Sequence, residues 1–180
     1  LSLHDALPIY TGEVLHKIED GQAFHSVTIT KDGKYIVAGG REHQIKVWDI
    51  NTGSLIKTIE TNASIYAVSV SPDGERIISG GLKKTVDVWN FYSGENVFSL
   101  MGHTSIIREV AVAPNGRVIF SSGIDGKLNM WDLNSGELLK SIDNHTPVFA
   151  LDISNNGRNI VLGGADASIR VLQVPREGNI

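Results

Sequence analysis

The punctuation of this chain repeats, and that limits its fold more than any single motif does. Glycine follows a turn-forming residue at Asp32-Gly33, Asp73-Gly74, Asn115-Gly116 and Asn156-Gly157, with steps of 41, 42 and 41. Trp48, Trp89, Trp131 and Leu172 keep the same steps, and Gly12, Gly53, Gly94, Gly136 and Gly178 form a third series at 41, 41, 42 and 42. Three phases locked to one period define a unit of roughly forty residues present a little over four times. A unit that short cannot enclose a core by itself and has to stack on its neighbours.

Inside the unit, Asp-Gly or Asn-Gly between apolar runs signals a β-hairpin, and the type I′ turn is the expectation because both of its central residues need positive φ. In the second unit the runs are Ile65 to Val70, Arg76 to Ser79, Thr85 to Trp89 and Glu95 to Leu100, each too short for an ordinary helix. Thr85-Val86-Asp87-Val88-Trp89 and Gln44-Ile45-Lys46-Val47-Trp48 alternate with period two, as strands buried mainly on one face do. Composition agrees: 20 Ile and 16 Val against 14 Leu and 10 Ala favour strands. The fold class is all-β, with four sequential antiparallel strands per unit stacked radially as a β-propeller.

The first nine residues, Leu1-Ser2-Leu3-His4-Asp5-Ala6-Leu7-Pro8-Ile9, fit none of this patterning. They read, residue for residue, as the translation of a widely used short-read sequencing adapter, so residues 1–9 are set aside as non-native and sequence is expected to be missing upstream.

Gly102-His103, Ala113-Pro114-Asn115-Gly116, Ser121-Ser122-Gly123, Asp125 and Trp131-Asp132 resemble the signature of the WD-repeat propellers, and Ser71-Pro72-Asp73-Gly74 and Trp48-Asp49 add to it. The resemblance extends over residues 10–180. Departures are Thr61 or Asn62 in place of histidine, Lys83 in place of aspartate, and Leu172-Gln173 in place of the closing dipeptide. The expected division is a lone fourth strand at 10–18, units at 19–59, 60–100 and 101–142, and an incomplete unit at 143–180. That makes sixteen strands, enough for four blades if the first strand completed the last sheet. Members of this family usually close with about seven blades, so the expectation is an open arc, a fragment truncated at both ends.

The same resemblance gives His103, Ser121, Asp125 and Trp131 a structural role, as a buried hydrogen-bond network in which the aspartate accepts from the histidine and the histidine bridges to the serine and the indole N–H. His103, Ser121 and Asp125 are also the residue types of a hydrolytic triad, but the structural reading is preferred because the four satisfy one another. The fourth unit retains His145 and Asp166 of the set, and the first retains Glu42 and Trp48.

Little else points to chemistry. No cysteine is present, which removes disulfides, thiolate metal sites and a cysteine nucleophile. The histidines show no metal-binding spacing and no Gly-rich phosphate motif occurs, so no catalytic residue, cofactor or metal is expected. Gly39-Gly40, Gly80-Gly81 and Gly163-Gly164 are read as strand ends. The sequons at Asn62 and Asn144 are read as chance. A net charge of -4 with no basic stripe argues against nucleic acid, and no apolar run reaches the roughly 20 residues of a membrane span.

Residues that the repeat frame leaves unexplained are more informative. His25, Tyr66, Arg108 and Phe149 follow the apolar residue that opens the first strand of each unit, and Arg41, Leu82, Ile124 and Ala165 precede the acid position of the second turn. In the resembling family both positions lie on the narrow top face beside the channel. Tyr, Phe and Arg anchor interfaces, though Tyr66 and Phe149 can equally pack between blades. The candidate partner-binding face is therefore His25, Arg41, Tyr66, Leu82, Arg108, Ile124 and Phe149. The expected role is a non-catalytic scaffold for a protein or peptide partner and for the remaining blades of its own chain. The alternative is a substrate-gating or regulatory propeller of a larger enzyme, or of a surface-layer-like protein that Lys34-Tyr35-Ile36-Val37 resembles.

Overall fold

In a computed structural model, residue 12 and residues 14–174 are described; residues 1–11, 13 and 175–180 of the expected division lie outside them. The described residues form fifteen strands and no helix. The first blade is β1 (Phe24–Ile29), β2 (Tyr35–Gly40), β3 (Gln44–Asp49) and β4 (Leu55–Glu60). The second is β5 (Ile65–Val70), β6 (Arg76–Gly81), β7 (Thr85–Asn90) and β8 (Asn96–Met101). The third is β9 (Ile107–Val112), β10 (Val118–Gly123), β11 (Lys127–Asp132) and β12 (Leu138–Asp143), and the last is β13 (Val148–Ile153), β14 (Asn159–Gly164) and β15 (Ile169–Gln173). Each blade is an antiparallel meander in chain order. The tryptophans occupy one register, with Ile36 opposite Trp48, Ile77 opposite Trp89 and Ile119 opposite Trp131.

The hairpins form at the expected glycines, but the turn is not type I′. Gly33, Gly74, Gly116 and Gly157 have positive φ, and the Asp or Asn before each does not. The Gly33 N–H bonds to Thr30 O at 2.8 Å and the Thr30 N–H to Tyr35 O at 3.0 Å, a four-residue loop built on an ordinary turn and ending in left-handed glycine. The acid or amide is selected by its side chain instead: Oδ1 of Asp32, Asp73, Asn115 and Asn156 accepts the N–H two residues on, at 2.9–3.1 Å.

The core lies between the sheets. Val37, Ile45, Val47 and Ile59 of the first blade share one buried cluster with Ile65, Val68, Ile77 and Trp89 of the second. The paired glycines are close-approach points rather than simple strand ends. A Cβ on Gly39 would stand 2.5 Å from Ile65 Cγ2 of the next blade, and one on Gly80 equally close to Ile107 Cγ2. The third blade carries Ser122 at this position, and the residue opening the next strand is the smaller Val148, both fully buried.

One expectation differs, at the amino-terminal end. Of the lone fourth strand expected over 10–18, residues 14–18 form no strand, and the described residues hold fifteen strands; residues 10, 11 and 13 lie outside them. A fourth strand needs the third strand of its own sheet as partner, and β15 pairs only with β14. Instead, His16 Nε2 lies 2.6 Å from Asn51 O, and Ile18 lines an apolar hollow with Phe24, Val27, Ile36, Ala38 and Trp48. The ring is open, and its end blades expose what inner blades bury. Phe24 is 36% exposed where its counterpart Ile65 is 4%, and Ile169 78% where Leu128 is 0%.

Left-handed backbone recurs between the second and third strands, at His43 (φ 57), Lys84 (φ 68), Gly126 (φ 77) and Ala167 (φ 58). A side chain there costs about 1–2 kcal/mol, and glycine recovers this less its greater chain entropy. Ala167→Gly, which copies the third blade, should therefore stabilise the protein by about 1 kcal/mol in chemical denaturation; an unchanged or lower midpoint would refute the strain.

Candidate partner-binding face

The four residues of the expected network meet in the third blade. Cross-strand pairing puts Ser121 and Trp131 on one face of the sheet, two positions apart in register. Trp131 Nε1–H donates to Ser121 Oγ at 2.9 Å, and Ser121 Oγ lies 2.8 Å from His103 Nε2. His103 Nδ1 is 3.0 Å from Asp125 Oδ2, and that carboxylate also accepts the N–H groups of Thr104 at 2.7 Å and Lys127 at 3.1 Å. Protons run one way along this chain: indole to serine, serine to Nε2, Nδ1–H to carboxylate, with the imidazole neutral. Burial lowers the His103 pKa, outweighing the raising effect of Asp125. Burial pushes Asp125 up, but the Thr104 and Lys127 N–H groups and His103 more than offset it, so its carboxyl stays below the usual range. The arrangement copies the order of a hydrolytic triad, yet Ser121 is 0% exposed and its oxygen already holds the indole N–H. No acyl group can reach it.

The candidate binding residues share a structural cause. In every blade the first strand carries one extra residue against the second: His25 between Phe24 and Ser26, Tyr66 between Ile65 and Ala67, Arg108 between Ile107 and Glu109, and Phe149 between Val148 and Ala150. A bulged residue leaves the ladder and its side chain is re-aimed out of the sheet. The backbone N–H groups of Arg41, Leu82, Ile124 and Ala165 bond to the carbonyls of Ala23, Ser64, Ile106 and Pro147, which sets the second candidate position of each blade beside the bulge.

The bulges bring three blades into contact. The His25 and Tyr66 rings stack with centroids 4.8 Å apart and planes 1° from parallel, and the Arg108 guanidinium carbon lies 5.1 Å from the Tyr66 centroid. Phe149, at the same place in the last blade, is 45% exposed. Arg41 and Leu82 are exposed and Ile124 is half-buried.

A family model described as "WD domain, G-beta repeat" matches residues 12–49, 53–90, 94–132 and 136–172. The chain belongs to the WD-repeat family. A solved structure titled "Structure of U3-55K" superposes with a TM-score of 0.80 at 20% identity, covering 90% of this chain and 51% of that one. The chain thus spans about half the length of that relative, and the likeness is one of fold. No curated protein sequence matches. WD-repeat propellers generally serve as protein-interaction modules.

Within the WD frame, each departure from the signature has its own compensation. Positions 20, 61, 103 and 144 correspond, so Asn144 stands where His103 does. Asn144 is buried and donates to Gly126 O at 3.2 Å, whereas His145, expected to keep the network, is exposed at φ 62 and lies beside Asp143. Asp166 bonds to Ser168 and Arg170 instead. In the first blade Glu42 is exposed, Ala38 replaces the serine, and Lys46 pairs with Asp20. The second blade inverts the charges: Lys83 replaces the acid and pairs at 3.2 Å with Asp87, four residues on. The i, i+4 pairs Glu42/Lys46, Lys83/Asp87 and Asp166/Arg170 carry opposite charges, and only the third blade, where Asp125 is given to His103, has the neutral Asn129. That spacing was legible in the sequence once the repeats were aligned. Asn90, replacing the aspartate of the WD dipeptide, still accepts the Tyr92 and Ser93 N–H groups at 2.9 Å.

Asp125→Ala strands the His103 N–H and two backbone donors, and should cost about 1–3 kcal/mol in chemical denaturation. The pH dependence has a definite sign. His103 is depressed from 6.5 and Asp125 from 3.8, so the unfolded chain binds more protons on acidification. The network's stability is full above about pH 6.5, declines as pH falls through the histidine range, and declines further through the carboxylate range. His103→Gln should flatten the first phase; a wild-type midpoint that is constant between neutral pH and pH 5 would contradict the assignment.

Proposed function

We propose that this chain is a non-catalytic interaction module that binds a protein or peptide partner on the end of the arc where the four first-strand bulges lie. The observation that carries the reading is the bulge itself, repeated at His25, Tyr66, Arg108 and Phe149. The residues at that position change from blade to blade while the buried frame around them does not: Ile65, Ile107 and Val148 stay apolar and fully packed one residue earlier. A packing role would favour one apolar type at all four places. Histidine, tyrosine, arginine and phenylalanine instead supply rigid area and a planar cation, the side chains that dominate binding energy at interfaces.

Photo-crosslinking tests the reading. A crosslinker at position 149 should capture a discrete partner, Tyr66→Ala should abolish that capture, and Tyr92→Asn in the opposite turns should not. Equal capture by all three proteins would refute it.

A further inference from the structure

The interaction reading leaves open what the partner's surface carries, and Arg108 supplies an answer that rests on that reading. Its guanidinium is held against Tyr66, its Nε is buried, and among the described residues it makes no hydrogen bond. The terminal N–H groups of a fixed planar fork are therefore free of any protein acceptor on a half-buried side chain. Nε is closed to solvent and ligand alike, whereas the terminal N–H groups are not buried, so an incoming acceptor can reach them. The ring it stacks on is itself braced by His25 from the first blade, so the fork is oriented before any ligand arrives.

Charge on this face runs against the rest of the molecule. The chain as a whole is at -4, yet the seven residues of the face include two arginines and no acid. The carboxylates of the adjoining turns are engaged elsewhere, Asp125 with His103 and Asp166 with Arg170. Glu109, beside Arg108 in the chain, is half-buried; burial raises its pKa, while the Val110 N–H and the Arg108 charge act against that rise. Glu42, next to Arg41, is exposed, and so is Asp152, whose charge acts on Glu109.

We infer that this face binds an acidic peptide segment, with a glutamate or aspartate carboxylate docked on the Arg108 fork and an adjacent apolar residue resting on Phe149 and Leu82. A bidentate carboxylate satisfies the unused donors and adds charge assistance. Single-stranded nucleic acid is the less favoured occupant, because it needs a positive groove with successive stacking rings, whereas the chain is at -4 and Tyr66 is engaged by both His25 and Arg108, which leaves Phe149 as the open ring among the first-strand bulges of the last two blades.

The test uses three fluorescein-labelled peptides with one apolar framework and glutamate, glutamine or lysine at the variable positions, together with a labelled thymidine oligonucleotide, in fluorescence anisotropy. The glutamate peptide should bind about tenfold tighter than the glutamine peptide, and added salt should close that gap. Arg108→Gln should remove the preference, so that the glutamate and glutamine peptides bind with equal affinity. Arg108→Lys, which keeps the charge and loses the fork, should fall between. Salt dependence in the unaltered protein decides the matter if a variant fails to fold. Equal binding of all three peptides would overturn the acidic inference and leave the interaction reading standing. Tighter binding of the oligonucleotide would overturn the inference, and no binding of any probe would overturn both.

Discussion

Everything in this molecule depends on sheets packing face to face across a gap that glycine makes narrow enough. A four-stranded antiparallel sheet of about forty residues has two apolar faces and no means of covering both. Here Ile65 and Ile107 fill the space that Gly39 and Gly80 leave on the preceding blade, and each buried cluster draws residues from two consecutive sheets. Stability is accordingly a property of neighbours. The same logic accounts for the end blades, whose Phe24 and Ile169 are solvent-exposed for want of a neighbour rather than because of any change in their own sequence.

That packing also produces the candidate face. The residue opening each first strand must point into the gap between blades, while the second strand ends in a Gly-Gly or Ser-Gly pair whose backbone lies against the preceding loop carbonyls. One extra residue in the first strand reconciles these demands, and the bulge sends its side chain outward. The candidate residues at the bulges are thus the by-product of a packing requirement, which leaves them free to vary. His25, Tyr66 and Arg108 have then come into contact across three blades, each bracing the next.

The polar networks show how tolerant the frame is. Each blade has to balance charge between the second turn and the third strand, and each does so differently: Lys46 with Asp20, Asp87 with Lys83, Asp125 with His103, Arg170 with Asp166. What persists is compensation rather than identity, because an uncompensated charge in a half-buried turn costs more than a neutral substitute. The third blade alone extends its network from carboxylate to indole, through a histidine kept neutral by burial.

The sequence by itself determined the period, the strands, the position of each tryptophan and the membership of the third-blade network, because these follow from local rules: alternation, turn chemistry and fixed spacing along one chain. It also singled out the seven residues of the candidate face, by their failure to follow the repeat. Tertiary structure decided the rest. Residues 14–18 read as a strand but have no third strand beside them, and His145 reads as a network histidine although register gives that place to Asn144. Asp-Gly reads as a two-residue turn, whereas the flanking strands hold a wider loop in which only glycine is left-handed. The stack of His25, Tyr66 and Arg108 joins residues some forty positions apart, and no local pattern carries that distance. Pairing partners and packing across blades are long-range quantities, fixed only when one sheet lies against the next.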